Sequence, residues 1–299
     1  MRVLNYGSLN IDRVYSVDHF VRAGETITCG ALNFYCGGKG LNQSVALARA
    51  GCDAVHFGAV GSDGDSLRKQ IADSGADVSE IMTLAGESGH AVIQVNEGGN
   101  NCIIVYGGAN RKITRADIDR VLLKFSPGDC FLCQNETAEV RYAIHRAKQR
   151  GMYVVVNPSP IDEVMLDLPP QDIDCFVLNE IEAKALSGSS SSDNHEILAA
   201  MRQRYPGARI VMTVGEDGVL CADGDQVFEH GIFKVNAVDT TAAGDTFCGY
   251  IISCMQRGMD IPASLRVASA AAAIAVGRAG ASVSIPLWDE VMKFLSERA

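Results

Sequence analysis

The sequence contains no long apolar run and no dense cluster of lysine and arginine. No stretch reaches transmembrane length, and the first residues read directly as a strand instead of a signal peptide, so we expect a cytoplasmic protein with no membrane partner. The formal net charge is −10. Because no basic run is available to follow a phosphate backbone, nucleic acid is not an expected partner either.

Cysteine and histidine are present, but without the spacing of a metal site. The 10 cysteines are scattered, several inside apolar runs, and fit small buried side chains of a reducing compartment. Cys130 and Cys133 have CxxC spacing, yet no second pair accompanies them. The 6 histidines show no paired spacing. A zinc site or a redox pair is therefore not predicted.

What the chain does contain is a regular alternation of short apolar runs and helical segments. Hydrophobic residues make up 47% of its 299 residues, enough for a large core. Continuous apolar runs between helices indicate a mostly parallel sheet, so we predict an α/β fold, a doubly wound sheet with helices on both faces. Polar residues follow strand after strand, and ligands bind at that edge of such sheets. Helices are predicted near 65–75, 117–125, 140–150 and 288–298.

Two pairs of predicted strands interrupt this alternation. They lie at about 12–36 and 89–107, and no helical pattern separates the strands within either pair. The turn at 97–101, rich in glycine and asparagine, is typical of a hairpin. We predict a single domain over 1–299 in which these strands form a small, sequence-discontinuous β-sheet lid. An apolar sheet face needs a cover, which favours a homodimer through this lid.

The rest of the chain is organised around residues 239–245. A short run at 235–238, predicted as a strand, precedes this segment, and a helical run from Cys248 follows it. The unpaired N–H groups and positive dipole end of that helix suit an anion, and the small residues at 242–244 leave room for one. Asp245 at the same entrance is placed to take a proton from a hydroxyl. Taken alone, Asp245 also fits a plain helix cap.

Two polar segments near the N-terminus fit a ligand beside that entrance. Asn10 and Asp12 stand two apart in an extended stretch, so their side chains point to one side and can grip a polyol. The run Gly37–Asn42 opens a helix with glycines that let a ligand approach the backbone, although its spacing is not that of a Walker loop. Each segment alone also fits a polar strand edge or a simple tight turn.

These segments together resemble a known family. Gly37–Asn42 and Asp239–Asp245 resemble the two signatures of the ribokinase-like (PfkB) carbohydrate kinases, and Asn179–Glu182 is similar to the family's third motif, an Asn followed three positions later by Glu. The resemblance runs over 7–286. Ala242 is a departure, because the broad family usually has glycine there.

The resemblance implies transfer of a phosphoryl group from ATP to a sugar hydroxyl with Mg²⁺. Asp245 would be the base that deprotonates the sugar's primary hydroxyl. The amides of Ala242, Ala243 and Gly244 would hold the charge on the phosphoryl group. The implied sugar-binding residues, besides Asp245, are Asn10, Asp12, Gly38, Lys39, Asn42 and Glu136. The implied nucleotide-binding residues are Asn179, Thr213, Gly215, Gly218, Gly244 and Ser269. Glu182 would support Mg²⁺ through water.

The resemblance also implies an activating K⁺ ion, held mostly by backbone carbonyls of two loops. The implied residues are Asp239, Thr241, Ala275, Arg278, Gly280 and Ser284. A cation beside the anion-binding turn would organise it electrostatically. The segment 278–284 alone also fits a helix end.

The expected reaction is therefore D-ribose plus ATP giving D-ribose 5-phosphate and ADP. The same transfer to deoxyribose, another small sugar or a nucleoside stays open, as does a non-catalytic sugar sensor on the same fold. The charged sugar-binding residues favour a small polyol over a nucleoside, whose base would need apolar lid residues such as Phe34 and Tyr106. Asp245 argues against a sensor, which has no use for a base.

Overall fold

The computed structural model describes residues 1–298, in which strands and helices alternate. The strands are β1 Val3–Tyr6, β2 Asn10–Ser16, β3 Ala31–Gly37, β4 Ala54–Val60, β5 Asp77–Thr83, β6 Gly89–Val95, β7 Asn101–Tyr106, β8 Cys130–Cys133, β9 Tyr153–Val156, β10 Cys175–Asn179, β11 Arg209–Thr213, β12 Val219–Asp223 and β13 Gln226–His230. The helices are α1 Lys39–Arg49, α2 Asp65–Asp73, α3 Arg115–Leu122, α4 Val140–Gln149, α5 Glu163–Leu166, α6 Glu180–Ser187, α7 Asn194–Arg204, α8 Ala243–Gln256, α9 Ile261–Val276 and α10 Trp288–Ser296. Short 3₁₀ turns lie at Gly108–Arg111, Pro170–Asp172 and Gly215–Asp217.

Nine strands form the main sheet, in the order β13-β12-β11-β10-β9-β8-β1-β4-β5. Neighbours from β11 to β5 pair in parallel, and β12 and β13 add an antiparallel edge. This order places the carboxyl ends of the parallel strands along one edge, where ligands bind in such sheets.

Helices cover both faces of this sheet. Alternate residues of β1 enter different apolar clusters, with Leu4 and Tyr6 in one and Val3 in the other. Helices α3, α4, α6 and α7 contribute to the first cluster, and α1, α2, α8, α9 and α10 contribute to the second. The predicted α/β fold with a doubly wound, mostly parallel sheet is therefore confirmed. The four predicted helices agree with α2, α3, α4 and α10 to within one helical turn.

The main differences from the predicted elements lie near the sheet edges. The strand predicted at 235–238 is wrong, because these residues form an irregular segment in which Val238 is 62% exposed. The N–H groups of Val238 and Asp239 donate to the carbonyl of Val276 at the end of α9, so this segment is hydrogen-bonded to the end of a helix and not to a strand. Strands β5, β12 and β13 are not among the predicted strands. They lie at or next to the sheet edges, where β5 and β13 mix polar and apolar residues and lack the continuous apolar pattern of the central strands.

A second, small sheet has the order β3-β2-β6-β7. Its strands lie where the sequence predicted strand pairs, so the small sheet is confirmed. The register puts Phe34, Arg13, Val92 and Ile104 in one row across the sheet. Because side chains alternate along a strand, Asp12 lies on the opposite face. Phe34 and Ile104 are 63% and 64% exposed, so the face away from Asp12 carries uncovered apolar side chains.

No helix within residues 1–298 combines the length and apolar character needed to cross a membrane.

The buried side chain of His56 in β4 makes the stability of the fold depend on pH. Its side chain is fully buried, and Nδ1 lies 2.7 Å from the Ser44 hydroxyl. Burial lowers the pKa of His56 to about 3. An unfolded histidine titrates near pH 6.5, so protonation favours the unfolded chain. The stability that depends on neutral His56 is fully present above about pH 6.5 and is lost progressively as the pH falls towards 3.

We expect His56 to contribute a loss of about 2 kcal/mol of unfolding free energy between pH 7 and pH 5. His56→Phe removes the titrating group, so the difference in unfolding free energy between the two pH values should shrink by about this amount. Urea unfolding of both proteins at pH 7 and pH 5 measures the difference. An identical pH dependence in the variant would contradict the assignment of a neutral buried imidazole.

Candidate active site

The N-terminus of α8 begins in a strained turn. Ala242 is the N-cap residue and has φ 63°, a left-handed conformation that disfavours any side chain beyond glycine. The N–H group of Ala243 donates to the Thr240 carbonyl at 3.2 Å, and Thr246 donates to the carbonyl of Ala242 from both its N–H and its hydroxyl. The turn is therefore held by its own hydrogen bonds, and the first residues of α8 follow directly from it.

Asp245 in the first turn of α8 reaches across to α1. Its Oδ2 accepts a hydrogen bond from Asn42 Nδ2 at 2.9 Å, and its Oδ1 accepts one from Gln43 Nε2 at 2.9 Å. No side-chain hydrogen bond caps α8, whose N-cap is Ala242. The interpretation of Asp245 as a plain helix cap is therefore wrong, because both carboxylate oxygens bind amides that lie about 200 residues away in sequence.

Several of the implied sugar-binding residues lie close to this carboxylate or to one another. The Glu136 carboxylate accepts from the Lys39 N–H at 3.1 Å and contacts the Ser8 hydroxyl, which ties the strand end after β8 to the start of α1. Burial alone would lower the pKa of the Lys39 ammonium. Three carboxylates outweigh this effect and raise the pKa; they belong to Asp245, Glu136 and Glu182. Lys39 is therefore the shared cation of the cluster.

The small sheet delivers Asn10 and Asp12 to the same place. Burial, and then the nearby Glu136 carboxylate, raises the pKa of Asp12 to about 6. A Cβ atom on Gly37 would lie 2.0 Å from Asp12 Oδ2, so the first glycine of the predicted loop makes room for this carboxylate. Asn10 is buried, and its Oδ1 accepts from Asn110 Nδ2 at 2.8 Å.

Three buried amides and one half-buried amide, that of Asn157, lie at the site but are not among the predicted site residues. They are Gln43, Asn110, Gln134 and Asn157. Asn110 lies in a 3₁₀ turn and also bonds the backbone N–H and carbonyl of Leu9, which holds the entrance of β2. Gln134 and Asn157 follow β8 and β9, at the edge where ligands bind, and that position is the one sequence signal that pointed to them.

The implied nucleotide-binding residues gather at a separate opening. A cavity of about 680 Å³ adjoins the α8 entrance. Five of the implied residues line it: Thr213, Gly215, Gly218, Gly244 and Ser269. Its other walls are mostly apolar, with Phe233, Phe247 and Val276 among them. Gly244, which lines this cavity, is also the residue before Asp245 in the sequence.

Asn179 is not among the residues that line this cavity. It caps α6, where its Oδ1 accepts from the Glu182 N–H at 2.8 Å and Glu182 Oε2 accepts from the Asn179 N–H at 3.0 Å. This reciprocal pair is a capping box, so the third motif has a structural role in α6. One carboxylate oxygen of Glu182, Oε1, is not used by the cap. The Glu182 carboxylate also lies near enough to Lys39 to help raise the pKa of Lys39.

The two loops implied for a monovalent cation meet at Asp239. Its Oδ1 accepts from the Thr241 N–H at 2.8 Å, and its Oδ2 accepts from the Gly280 N–H at 3.0 Å. Burial alone would raise the pKa of Asp239, but the bonds from Thr241 and Gly280 lower it. The Ser284 hydroxyl donates to the Ala281 carbonyl at 2.8 Å.

The other implied cation residues lie nearby but are partly engaged. The Ala275 carbonyl accepts from the Arg278 N–H at 3.0 Å, and the Arg278 guanidinium pairs with Glu290 at 2.6 Å. Within residues 1–298, no three His, Cys, Asp or Glu side chains cluster as a metal site.

The strained turn at α8 gives a stability prediction with an internal control. Ala242→Gly should raise the unfolding free energy by about 0.5–1 kcal/mol, because glycine adopts positive φ without strain. Ala243→Gly, one residue later and inside α8, should lower it by about the same amount, because glycine is unfavourable in helices. Urea unfolding of the two variants measures both. Destabilisation by both changes would contradict the strain at Ala242.

Comparison with known proteins identifies the family of this chain. The family model described as pfkB family carbohydrate kinase matches residues 2–288. The ribokinase of Haemophilus influenzae is 36% identical over 297 residues, covering 97% of this chain and 96% of that protein. The deoxyribokinase of Salmonella typhimurium is 30% identical over 303 residues, covering 99% of each chain.

A solved structure extends the comparison to the fold. Arabidopsis thaliana ribokinase complexed with ribose and ATP superposes with a TM-score of 0.85, at 26% identity and with 98% of both chains covered. The chain therefore belongs to the pfkB family of carbohydrate kinases, as a ribokinase-type phosphotransferase that acts on a sugar hydroxyl.

Proposed function

We propose that this chain phosphorylates the primary hydroxyl of D-ribose with ATP, and that Asp245 is the base. The observation that carries the proposal is the position of the Asp245 carboxylate. It lies in the first turn of α8, where Asn42 and Gln43 of α1 hold its two oxygens, and it directly follows Gly244, which lines the neighbouring cavity. The relatives named ribokinase, and the A. thaliana enzyme complexed with ribose and ATP, support this choice of substrates.

The sugar would bind where its hydroxyls find both donors and acceptors. Asn42 Oδ1 is buried without a hydrogen-bond partner among the described residues, and its side chain already touches Asp245. A buried acceptor without a partner is costly, so a sugar hydroxyl that donates to it removes a penalty. Asn10, Lys39 and Glu136 would bind further hydroxyls, and Asp12 would accept from one while it is ionised, above about pH 6.

The transfer itself needs few groups. As the hydroxyl oxygen attacks the γ-phosphorus, its O–H bond breaks and the proton passes to Asp245. The bond between the γ-phosphorus and the oxygen of the leaving ADP breaks at the same time. The α8 dipole and the amides at Ala242 and Gly244 would stabilise the charge on the phosphoryl group. The Ala243 amide donates to Thr240 in this conformation and would have to release that bond to join them.

The nucleotide would occupy the neighbouring cavity. Its apolar walls suit an adenine ring, while Thr213 and Ser269 supply hydroxyls at its edge. Mg²⁺ fits the unused oxygen of Glu182 through a water molecule, since the other oxygen belongs to the α6 cap. When bound with ATP, Mg²⁺ supplies neutralisation of phosphate charge.

The proposal is tested by ADP release with Mg²⁺ and ATP against a panel of sugars and nucleosides. We expect D-ribose to give the highest kcat/KM. Asp245→Asn should lower kcat by about 10²–10⁴-fold, because the general base is lost, while the Kd values for sugar and ATP stay within a few-fold. Asp193→Asn is the matched control, since Asn caps α7 as well as Asp does and activity should be unchanged.

Three outcomes would contradict parts of the proposal. Turnover by Asp245→Asn near the unmutated rate would remove Asp245 as the base. A clear preference for deoxyribose or a nucleoside would keep the mechanism and change the substrate. No turnover on any compound, with sugars still raising the Tm, would favour a sugar sensor.

We also propose a K⁺ ion between the loops that meet at Asp239. The carboxylate bridges Thr241 and Gly280, so an ion held by the adjoining carbonyls would brace the turn that leads into α8. We expect kcat/KM to rise several-fold when Na⁺ is replaced by K⁺ at constant ionic strength. An equal rate in both salts would contradict the site.

The small sheet is proposed to act as a lid whose outer face forms a homodimer. The Asp12 face would cover the sugar, which leaves the apolar row containing Phe34 and Ile104 to be covered by a second copy. Light scattering should give twice the chain mass of 31.8 kDa. The double variant Phe34→Asp with Ile104→Asp should give the monomer. A monomeric unmutated protein at micromolar concentration would contradict the dimer.

A further inference from the structure

Gln43 is the closest neighbour of Asp245 that neither sugar nor nucleotide binding explains. Its side chain is fully buried. The amide nitrogen donates to Asp245 Oδ1 at 2.9 Å and to Asn157 Oδ1 at 3.1 Å, so both of its hydrogens are used. The amide oxygen accepts from Gln134 Nε2 at 2.7 Å. Asn157 is itself oriented, because its nitrogen donates to the Val177 carbonyl at 2.8 Å.

The orientation of the Gln43 amide decides whether its N–H group or its carbonyl oxygen faces Asp245 Oδ1. A glutamine amide has nearly the same shape when its oxygen and nitrogen exchange places. A flipped Gln43 would put its oxygen beside Asp245 Oδ1, so two acceptors would face each other and the carboxylate would turn away. The surroundings of Gln43 must therefore select one of the two orientations.

A chain of buried amides makes this selection. Gln134 Nε2 donates to Gln43 Oε1 and also to Asn5 Oδ1, the latter at 2.9 Å. Asn5 Nδ2 donates to the Gly40 carbonyl at 2.8 Å and to the Ser44 hydroxyl at 2.8 Å. A backbone carbonyl can only accept, so Gly40 sets the direction of Asn5, Asn5 sets that of Gln134, and Gln134, together with the oriented Asn157 on the other side, sets that of Gln43.

We propose that Gln43, Gln134 and Asn5 are positioning residues that keep an N–H group directed at Asp245. The inference rests on the proposed role of Asp245 as the base. With Oδ1 held by Gln43 and Oδ2 held by Asn42, the carboxylate plane is fixed, and each oxygen keeps one free lone-pair direction to receive the sugar proton. Base and hydroxyl then meet in the geometry that proton transfer requires.

Ser44, at the far end of this row of hydrogen-bonded amides, provides a control. The Ser44 hydroxyl lies between Asn5 and His56, but the Gly40 carbonyl alone is enough to orient Asn5. Ser44→Ala should therefore lower the Tm, because it leaves a buried histidine nitrogen without its partner, and should leave kcat within about twofold of the unmutated value. It separates loss of stability from loss of orientation.

The test is a double-mutant cycle on kcat and KM for ribose. Gln134→Met removes the donor behind Gln43 and should lower kcat about tenfold, with KM for ribose unchanged within about twofold. Gln43→Met should lower kcat at least as much. The double variant should be no slower than Gln43→Met, because Gln134 acts only through Gln43. Additive losses, or an unchanged kcat in folded Gln134→Met, would overturn the proposal.

Gln43→Glu keeps the test decisive where the methionine variants fail to fold. It preserves shape and still accepts from Gln134, but replaces the N–H group with a carboxylate oxygen next to Asp245. We expect at least a hundredfold loss of kcat, because the new carboxyl group repels the Asp245 carboxylate or shares a proton with it, and nearly full activity would overturn the proposal.

Measurements on the unmutated enzyme and on Asp245→Asn, made beside these variants, distinguish failure of the proposed function from failure of the positioning role of Gln43. An inactive unmutated enzyme or an active Asp245→Asn overturns both. An active unmutated enzyme, an inactive Asp245→Asn and a nearly unaffected Gln43→Glu overturn only the positioning role.

Discussion

Close packing of α1 against α8 is the constraint on which the site depends. A Cβ atom on Gly249 would lie 2.4 Å from the Cβ atom of Ala46, so the two helices approach to a distance that only glycine allows. At this separation the first turns of both helices converge. Asn42 and Gln43 from one helix then reach Asp245 on the other by direct hydrogen bonds. Small residues along α8 and α9 likewise let these two helices, which cover the same face of the sheet as α1, pack closely together.

The electrostatics of the site follow from this convergence. A protein with net charge −10 is proposed to bind a polyanion, yet the site gathers several carboxylates around one lysine, Lys39. The compensating positive charge has to come from elsewhere. The N-terminal dipole of α8 supplies part of it locally, and the proposed cations supply the rest. The arrangement keeps Asp245 beside the transferring group while the helix entrance, and not a cluster of arginines, receives the phosphate.

Much of the fold could be predicted because it depends on local patterns. Continuous apolar runs identified the parallel strands other than β5, and the hairpin composition at 97–101 identified half of the small sheet. The same reasoning failed at 235–238. Val238 is hydrogen-bonded to the end of α9, and Val235 and Ala237 line the proposed nucleotide cavity, so the segment does not pair in a sheet. An apolar run shows that a segment avoids water but does not show what covers it.

Site residues that belong to sequence motifs could be predicted, whereas site residues defined by their tertiary contacts could not. Asp245 fitted both a cap and a base by sequence, and only its bonds to α1 separate the two. Gln43 and Asn5 carry no local signal, and Gln134 carries only its position after β8, because a buried glutamine or asparagine becomes informative only when its partners are known. The strain at Ala242 was visible in sequence as a departure from glycine, but its left-handed backbone was not.

The central claim is that the site at the entrance of α8 directs the phosphoryl group of ATP to the primary hydroxyl of D-ribose. NMR of the product formed from ATP and ¹³C-labelled D-ribose tests it directly, through the carbon that couples to phosphorus. The account predicts coupling of ³¹P to C5 and the formation of one ADP per sugar phosphate. Phosphate on another carbon, or ATP hydrolysis without any sugar phosphate, would contradict it.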